Sequence, residues 1–199
     1  MANAVKRTQF ELVGCHPALD LVNTLDWRFR ENPEELITSY ADLVRFVVQC
    51  GLMTAAQGRR LHRIARTSKA AQVAAQTREL REAAARVFYV AIDGDDPQLD
   101  ALQDLQNCFR EAEAHRCLRW SQGHLRWEVP AAPELPLWLL SLETAQLLTS
   151  GNMDMVRACG NPECRWLFLD TSKNHTRRWC DMKICGNRMK ARRFKAQHR

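Results

Sequence analysis

The chain has 199 residues, 46% of them hydrophobic and 26% charged, with a formal net charge of +6. At roughly 100–200 residues per domain, this allows one large domain or a medium domain with a small one beside it. Such a composition excludes collagen-like, acidic disordered and small disulfide-stapled classes, and the longest apolar-rich run, Leu135 to Leu142, is far shorter than the roughly 20 residues of a membrane span.

The start carries Lys6 and Arg7 without the apolar stretch of a signal peptide, so the cytoplasm is the expected compartment. Phe10 to Val13 reads as a short strand and His16-Pro17 as a turn. Leu19, Val22 and Leu25 at helical spacing predict a helix over Ala18 to Trp27, and Asn32-Pro33 breaks the pattern. Ser39 caps a helix over Tyr40 to Cys50, with Gly51 as its stop, and Thr54 caps another that runs to about Arg66. A longer helix covers Ala70 to Ile92, with Val73, Leu80, Ala84, Val87, Phe88 and Ala91 on one face. After the loop Asp93 to Asp96, Asp96 caps a helix that has Pro97 first and reaches about Arg116. The period then changes. Leu118-Arg119-Trp120 and Leu125-Arg126-Trp127 flank Ser121-Gln122-Gly123-His124 and predict a β-hairpin. Pro130 to Pro136 is a linker, and Leu137 to Ser150 is a helix closed by Gly151. The expected fold class is α+β: a mainly helical domain over 1–151 with a small β-hairpin, then a small module over 152–199.

Half of the cysteines and the whole basic excess lie in that module. Cys159 and Cys164, then Cys180 and Cys185, repeat a Cys-x4-Cys spacing with 15 residues between the pairs. Four thiolates on two short turns are the donor set of one structural, tetrahedral Zn(2+). Disulfides fit less well, because nothing directs the chain to an oxidising compartment. Met155 to Ala158 and Trp166 to Leu169 can pair across the first turn. Thr171 to Trp179 is a basic loop, and a last helix opens at Met182 or Cys185. A hairpin, a loop and a helix around one zinc make a treble-clef-like module.

Residues 1–158 hold 18 Lys and Arg against 20 Asp and Glu, whereas 159–199 hold 11 against three. Zinc on four thiolates lowers the module from +8 to about +6. This asymmetry points to a polyanionic partner. Arg188, Arg192, Lys195 and Arg199 share a helix face about 60° wide, with Lys190 and Arg193 outside that stripe and Met189 and Ala196 on a second face that can pack on the module. Lys173, Arg177 and Arg178 extend the surface from the loop. These cations are the candidate nucleic-acid contacts. Their bonds to phosphate supply affinity and salt dependence but little choice of base. Double-stranded DNA is the favoured partner; RNA, in a ribosome-associated role, or an acidic protein joined by an adaptor would use the same cations.

The run Phe168 to Asn174, then Arg177-Arg178-Trp179-Cys180, then Cys185-Gly186-Asn187-Arg188 with Lys190 following, resembles the CGNR zinc-finger family. Phe10 to Gly14 and Leu19 to Thr24 resemble the ABATE domain that precedes CGNR fingers in bacterial proteins. The two matches span nearly the whole chain in the family's order. The resemblance implies a stress-induced transcription regulator whose finger binds DNA and whose first domain senses a ligand or binds a partner. One departure is Cys15-His16, where small residues such as Gly are expected.

Asp20 and Asn23 are polar residues in an apolar helix. They are either satisfied inside the fold or line a small-ligand pocket, since a buried unpaired polar group costs roughly 1–3 kcal/mol. Arg28 and Arg81 read as surface arginines, with pairing to Asp20 or to an acidic ligand as the alternative. Cys15, Cys50, Cys108 and Cys117 read as small core residues, and the histidines form no catalytic set. No phosphate loop, nucleophile elbow or His-Glu-x-x-His motif is present. The protein is therefore expected not to be an enzyme. A homodimer and a small-molecule effector are compatible with the sequence, which specifies neither.

Overall fold

The computed structural model describes residues 9–197. Lys6, Arg7 and Arg199, the last member of the predicted basic stripe, lie outside the described residues. Among the described residues there are seven α-helices, a 3-10 helix (Gly151–Met155), a π-helical turn (Met182–Gly186) and three two-stranded antiparallel sheets. The α-helices and strands are α1 (Pro17–Asn23), β1 (Leu25–Asp26), β2 (Glu34–Glu35), α2 (Tyr40–Gln49), α3 (Ala55–His62), α4 (Ser68–Asp93), α5 (Leu99–Ala114), β3 (Cys117–Ser121), β4 (His124–Glu128), α6 (Leu135–Leu148), β5 (Val156–Ala158), β6 (Leu167–Leu169) and α7 (Asn187–Gln197). The α+β class with a small C-terminal module holds. Among the described residues, no helix is long and apolar enough to cross a membrane.

Local chemistry accounts for most boundaries. Ser39 caps α2, and Thr54 with Gln57 forms a reciprocal capping box on α3. α4 is capped by Thr67 and stops at Gly94 in the left-handed conformation (φ 87°). Three expectations fail. α1 ends at Asn23 rather than Trp27, because Leu25 and Asp26 pair with Glu35 and Glu34 and Trp27 is left-handed (φ 53°). Phe10 to Val13 is not a strand: the Gln49 side chain takes a partner strand's place, accepting from Phe10 N (2.9 Å) and donating to Phe10 O (2.6 Å). Finally, α5 starts at Leu99 without a side-chain cap, and its first turns are held to α4 by Arg86, which bonds Asp100 (2.8 Å) and Asp104 (2.7 Å).

α4 runs through the core. Val73, Leu80, Ala84 and Phe88 are buried against Leu19 and Val22 of α1, Leu43 and Phe46 of α2, and Leu140 and Leu147 of α6. The C-terminal module is fused to this core through β6. Alternation along the strand sends Leu167 and Leu169 into the helical core, while Trp166 and Phe168 cluster with the four module cysteines. β5 pairs with β6 in the register Val156↔Leu169, Arg157↔Phe168, Ala158↔Leu167.

Candidate metal centre and nucleic-acid surface

Zn–S bonds near 2.3 Å in tetrahedral geometry place sulfur atoms about 3.8 Å apart. The Sγ atoms of Cys159, Cys164, Cys180 and Cys185 all lie within 4.8 Å of one another. The Cys164–Cys180 separation is 3.7 Å and the Cys180–Cys185 separation 3.6 Å. These spacings fit a four-thiolate zinc and are far longer than the roughly 2.05 Å of a disulfide. The donor set fits one structural zinc ion.

Two turns build the centre. In the first, Asn161 O accepts from Cys164 N (2.9 Å) and Arg165 N (3.0 Å), and left-handed Arg165 (φ 50°) returns the chain into β6, where Cys159 N donates to Trp166 O (2.8 Å). Asn161 is fully buried and aims Nδ2 at Cys185 Sγ (3.7 Å), a donor that supports a thiolate ligand. In the second turn, Asp181 Oδ1 accepts from Ile184 N (2.8 Å), and Asp181 O accepts from Cys185 N (3.0 Å). Gly186 closes it; a Cβ there would lie 3.3 Å from Trp179 Cδ1 and would displace the exposed Met182 side chain. The Cys159 thiol is pushed down by hydrogen bonds from Cys164 and Cys180, which are themselves pushed up because they donate to Cys159. Without a cation one thiolate is thus favoured among thiols, and a dication is what lets all four ionise.

The predicted cations divide by surroundings. Arg177 is not an outward phosphate contact. Its guanidinium lies 4.3 Å over Phe168 and donates to Trp179 O (3.0 Å), Val13 O (3.2 Å) and Cys180 O, tying the N-terminal segment to the zinc loop. Arg188 is half-buried 5.0 Å over Trp27, and Arg192 pairs with Glu163, which also pairs with Arg30. The stripe that helical spacing singles out therefore has its base turned toward the first domain. Lys190, Arg193 and Lys195 are exposed on α7, and Lys173 and Arg178 are exposed in the loop. Ala196 is exposed rather than packed on the module. The loop itself is organised by Asp170, which is fully buried and accepts from Ser172 N (3.0 Å), Ser172 Oγ (2.5 Å) and Arg177 N (2.9 Å). The Ser172 bond comes first among the contacts that hold its carboxyl below the usual range.

Comparison with known families matches residues 15–151 to ABATE, described as "Putative stress-induced transcription regulator", and residues 155–198 to the CGNR zinc finger. The chain belongs to the ABATE family. No curated protein matches it. In this ABATE–CGNR protein three of the four CGNR positions have a structural role, Cys185 as a ligand, Gly186 in the close turn and Arg188 in the contact to Trp27, while Asn187 opens α7 with an exposed side chain. Cys15 is left-handed (φ 59°), which explains why glycine suits that position better. It is also exposed rather than in the core.

The ABATE-domain polar pair is buried, and of the two alternatives the structure shows the internal one, with backbone groups as partners. Asp20 Oδ1 accepts from Gly14 N (2.7 Å), and burial pushes its carboxyl up to about 7. Asn23 donates to Leu167 O (2.9 Å) and accepts from Leu167 N (2.8 Å), so α1 acts as a further partner for β6. Asn23→Leu leaves both Leu167 groups unpaired and is expected to lower stability by about 2–3 kcal/mol in urea unfolding. Arg81 is not a surface arginine. It is 3% exposed and bonds Glu35 in bidentate fashion (2.8 and 2.7 Å), Glu82 (2.8 Å) and Thr24 Oγ1 (3.2 Å). Arg28 pairs with Glu82 as well. Sequence reasoning missed this cluster. Arg81 lies four residues after Thr77 and three before Ala84, inside the buried stripe of α4, and that placement was the available signal.

Proposed function

We propose that this protein is a non-catalytic, cytoplasmic transcription regulator whose CGNR module binds double-stranded DNA through the outward flank of α7. The observation that carries the reading is the set of exposed cations Lys190, Arg193 and Lys195 on a helix with no buried residue, next to a zinc centre that fixes its start. Exposed cations outside the ion pairs, carried on a preformed helix, can follow a phosphate backbone. Lys173 and Arg178 flank it, whereas Arg177 acts by holding the loop. A closed four-thiolate zinc leaves no position for water, which supports a structural metal and argues against hydrolysis. The ABATE domain serves as sensor or adaptor in this reading, with its interior already satisfied at Asp20 and Asn23 by backbone groups.

The test is duplex DNA binding by anisotropy across a salt series. The triple substitution Lys190→Gln, Arg193→Gln and Lys195→Gln is expected to lower the log–log salt slope by roughly 2–3, at about 0.9 per phosphate contact, without changing zinc content. An unchanged slope would remove α7 from the interface. Tighter binding to structured RNA than to duplex DNA would transfer the surface to the RNA reading.

A further inference from the structure

The β3–β4 hairpin stands apart from the functions above. Its register is Leu118↔Trp127, Arg119↔Arg126 and Trp120↔Leu125, closed by Gln122 (φ 52°) and Gly123 (φ 82°), the two left-handed positions of a type I′ turn. Side chains alternate across a strand pair, so Leu118, Trp120, Leu125 and Trp127 all share one face. They are 54%, 71%, 60% and 60% exposed. A two-stranded ribbon is marginal alone in water, and monomers rarely leave so large an apolar patch open.

We propose that this face is the interface of a two-fold homodimer. The repeated Leu-Arg-Trp makes the face self-complementary. Leu118 and Leu125 occupy one diagonal of the four positions, Trp120 and Trp127 the other. A two-fold axis lying in the interface plane, along the strands, sets each tryptophan against a leucine of the second copy: Trp120 against Leu125, Trp127 against Leu118. Large side chains then meet small ones in an isologous contact. The exposed parts of the four side chains come to roughly 500–600 Å² per copy. Full coverage of these side chains in both copies buries up to about 1,100 Å², which reaches the roughly 1,000 Å² that marks a specific interface.

Charge favours a second copy over nucleic acid. Arg119 and Arg126 point to the opposite face, where Arg119 pairs with Glu128 (2.7 Å) and Arg126 bonds His124 (2.6 Å). Arg116, which stacks 4.6 Å over Trp127, is neutralised by Glu113 (2.7 Å). The apolar face thus lacks uncommitted cations for phosphate.

Sedimentation of the full zinc-loaded chain over a concentration series is expected to give a dimer of the 22.9 kDa chain. Trp120→Glu and Leu125→Lys are each expected to be monomeric with unchanged zinc content and far-UV spectrum. Mixed in equal amounts, they are expected to dimerise again, because the new carboxylate faces the new ammonium. If either variant misfolds, Leu118→Lys takes its place in the monomer test. A monomeric wild type at all concentrations, or a dimer that survives these substitutions, overturns the proposal. So does a monomer whose indole fluorescence is quenched by single-stranded nucleic acid, which would make the face a base-stacking platform.

Discussion

Removing zinc is expected to collapse the C-terminal module and to loosen the first domain with it. The four thiolates draw together two turns that share little apolar contact beyond Trp166, Phe168 and Trp179. Structural zinc contributes on the order of 10 kcal/mol or more to such small modules. Cys180→Ser should therefore abolish stoichiometric zinc and expose the indole rings, seen as a red-shifted emission. β6 also carries Leu167 and Leu169 into the helical core, so the melting transition of the ABATE domain should fall as well. A variant that keeps one zinc and an unchanged melting curve would show that Cys180 is not a ligand.

Arg81→Met is expected to be the most damaging substitution outside the zinc centre. It leaves Glu35 without its bidentate cation and Glu82 with Arg28 alone, while burying no new polar partner. Breaking a buried pair costs about 3–5 kcal/mol, and the low end applies because Glu35 and Glu82 still reach water. Arg81→Lys should recover only part of the loss, because an ammonium cannot bond Glu35 in the bidentate form and reach Thr24 and Glu82 together. Urea unfolding of the three proteins checks the order. Equal stability of Arg81→Met and the wild type would mean that the cluster is decorative.

What could be read before the structure was local or periodic. The two Cys-x4-Cys turns, the capping residues Ser39 and Thr54, the Gly51 stop after α2 and the Leu-Arg-Trp hairpin all depend on neighbours in sequence. What could not be read depends on distant partners. Asn23 is bonded to Leu167, 144 residues away, so nothing local distinguishes it from a ligand contact. Arg177 looks like every other cation in its loop until Phe168, Val13 and Cys180 O surround it. Helical spacing placed Arg188 and Arg192 on one stripe, as they are, but spacing says nothing about which way a stripe faces. Trp27 and Glu163 turn its base inward.

In the proposed reading the outward cations of α7 grip duplex DNA, whereas Arg177 in the loop and the inward Arg188 and Arg192 hold the module to the ABATE domain. The decisive measurement is duplex affinity against salt for Lys190→Gln with Arg193→Gln, and separately for Arg177→Gln. The first pair is expected to lower the salt slope by roughly 2 at unchanged stability, whereas Arg177→Gln is expected to lower stability more than slope. The opposite pattern, with the slope lost at Arg177 and untouched at Lys190 and Arg193, would contradict it.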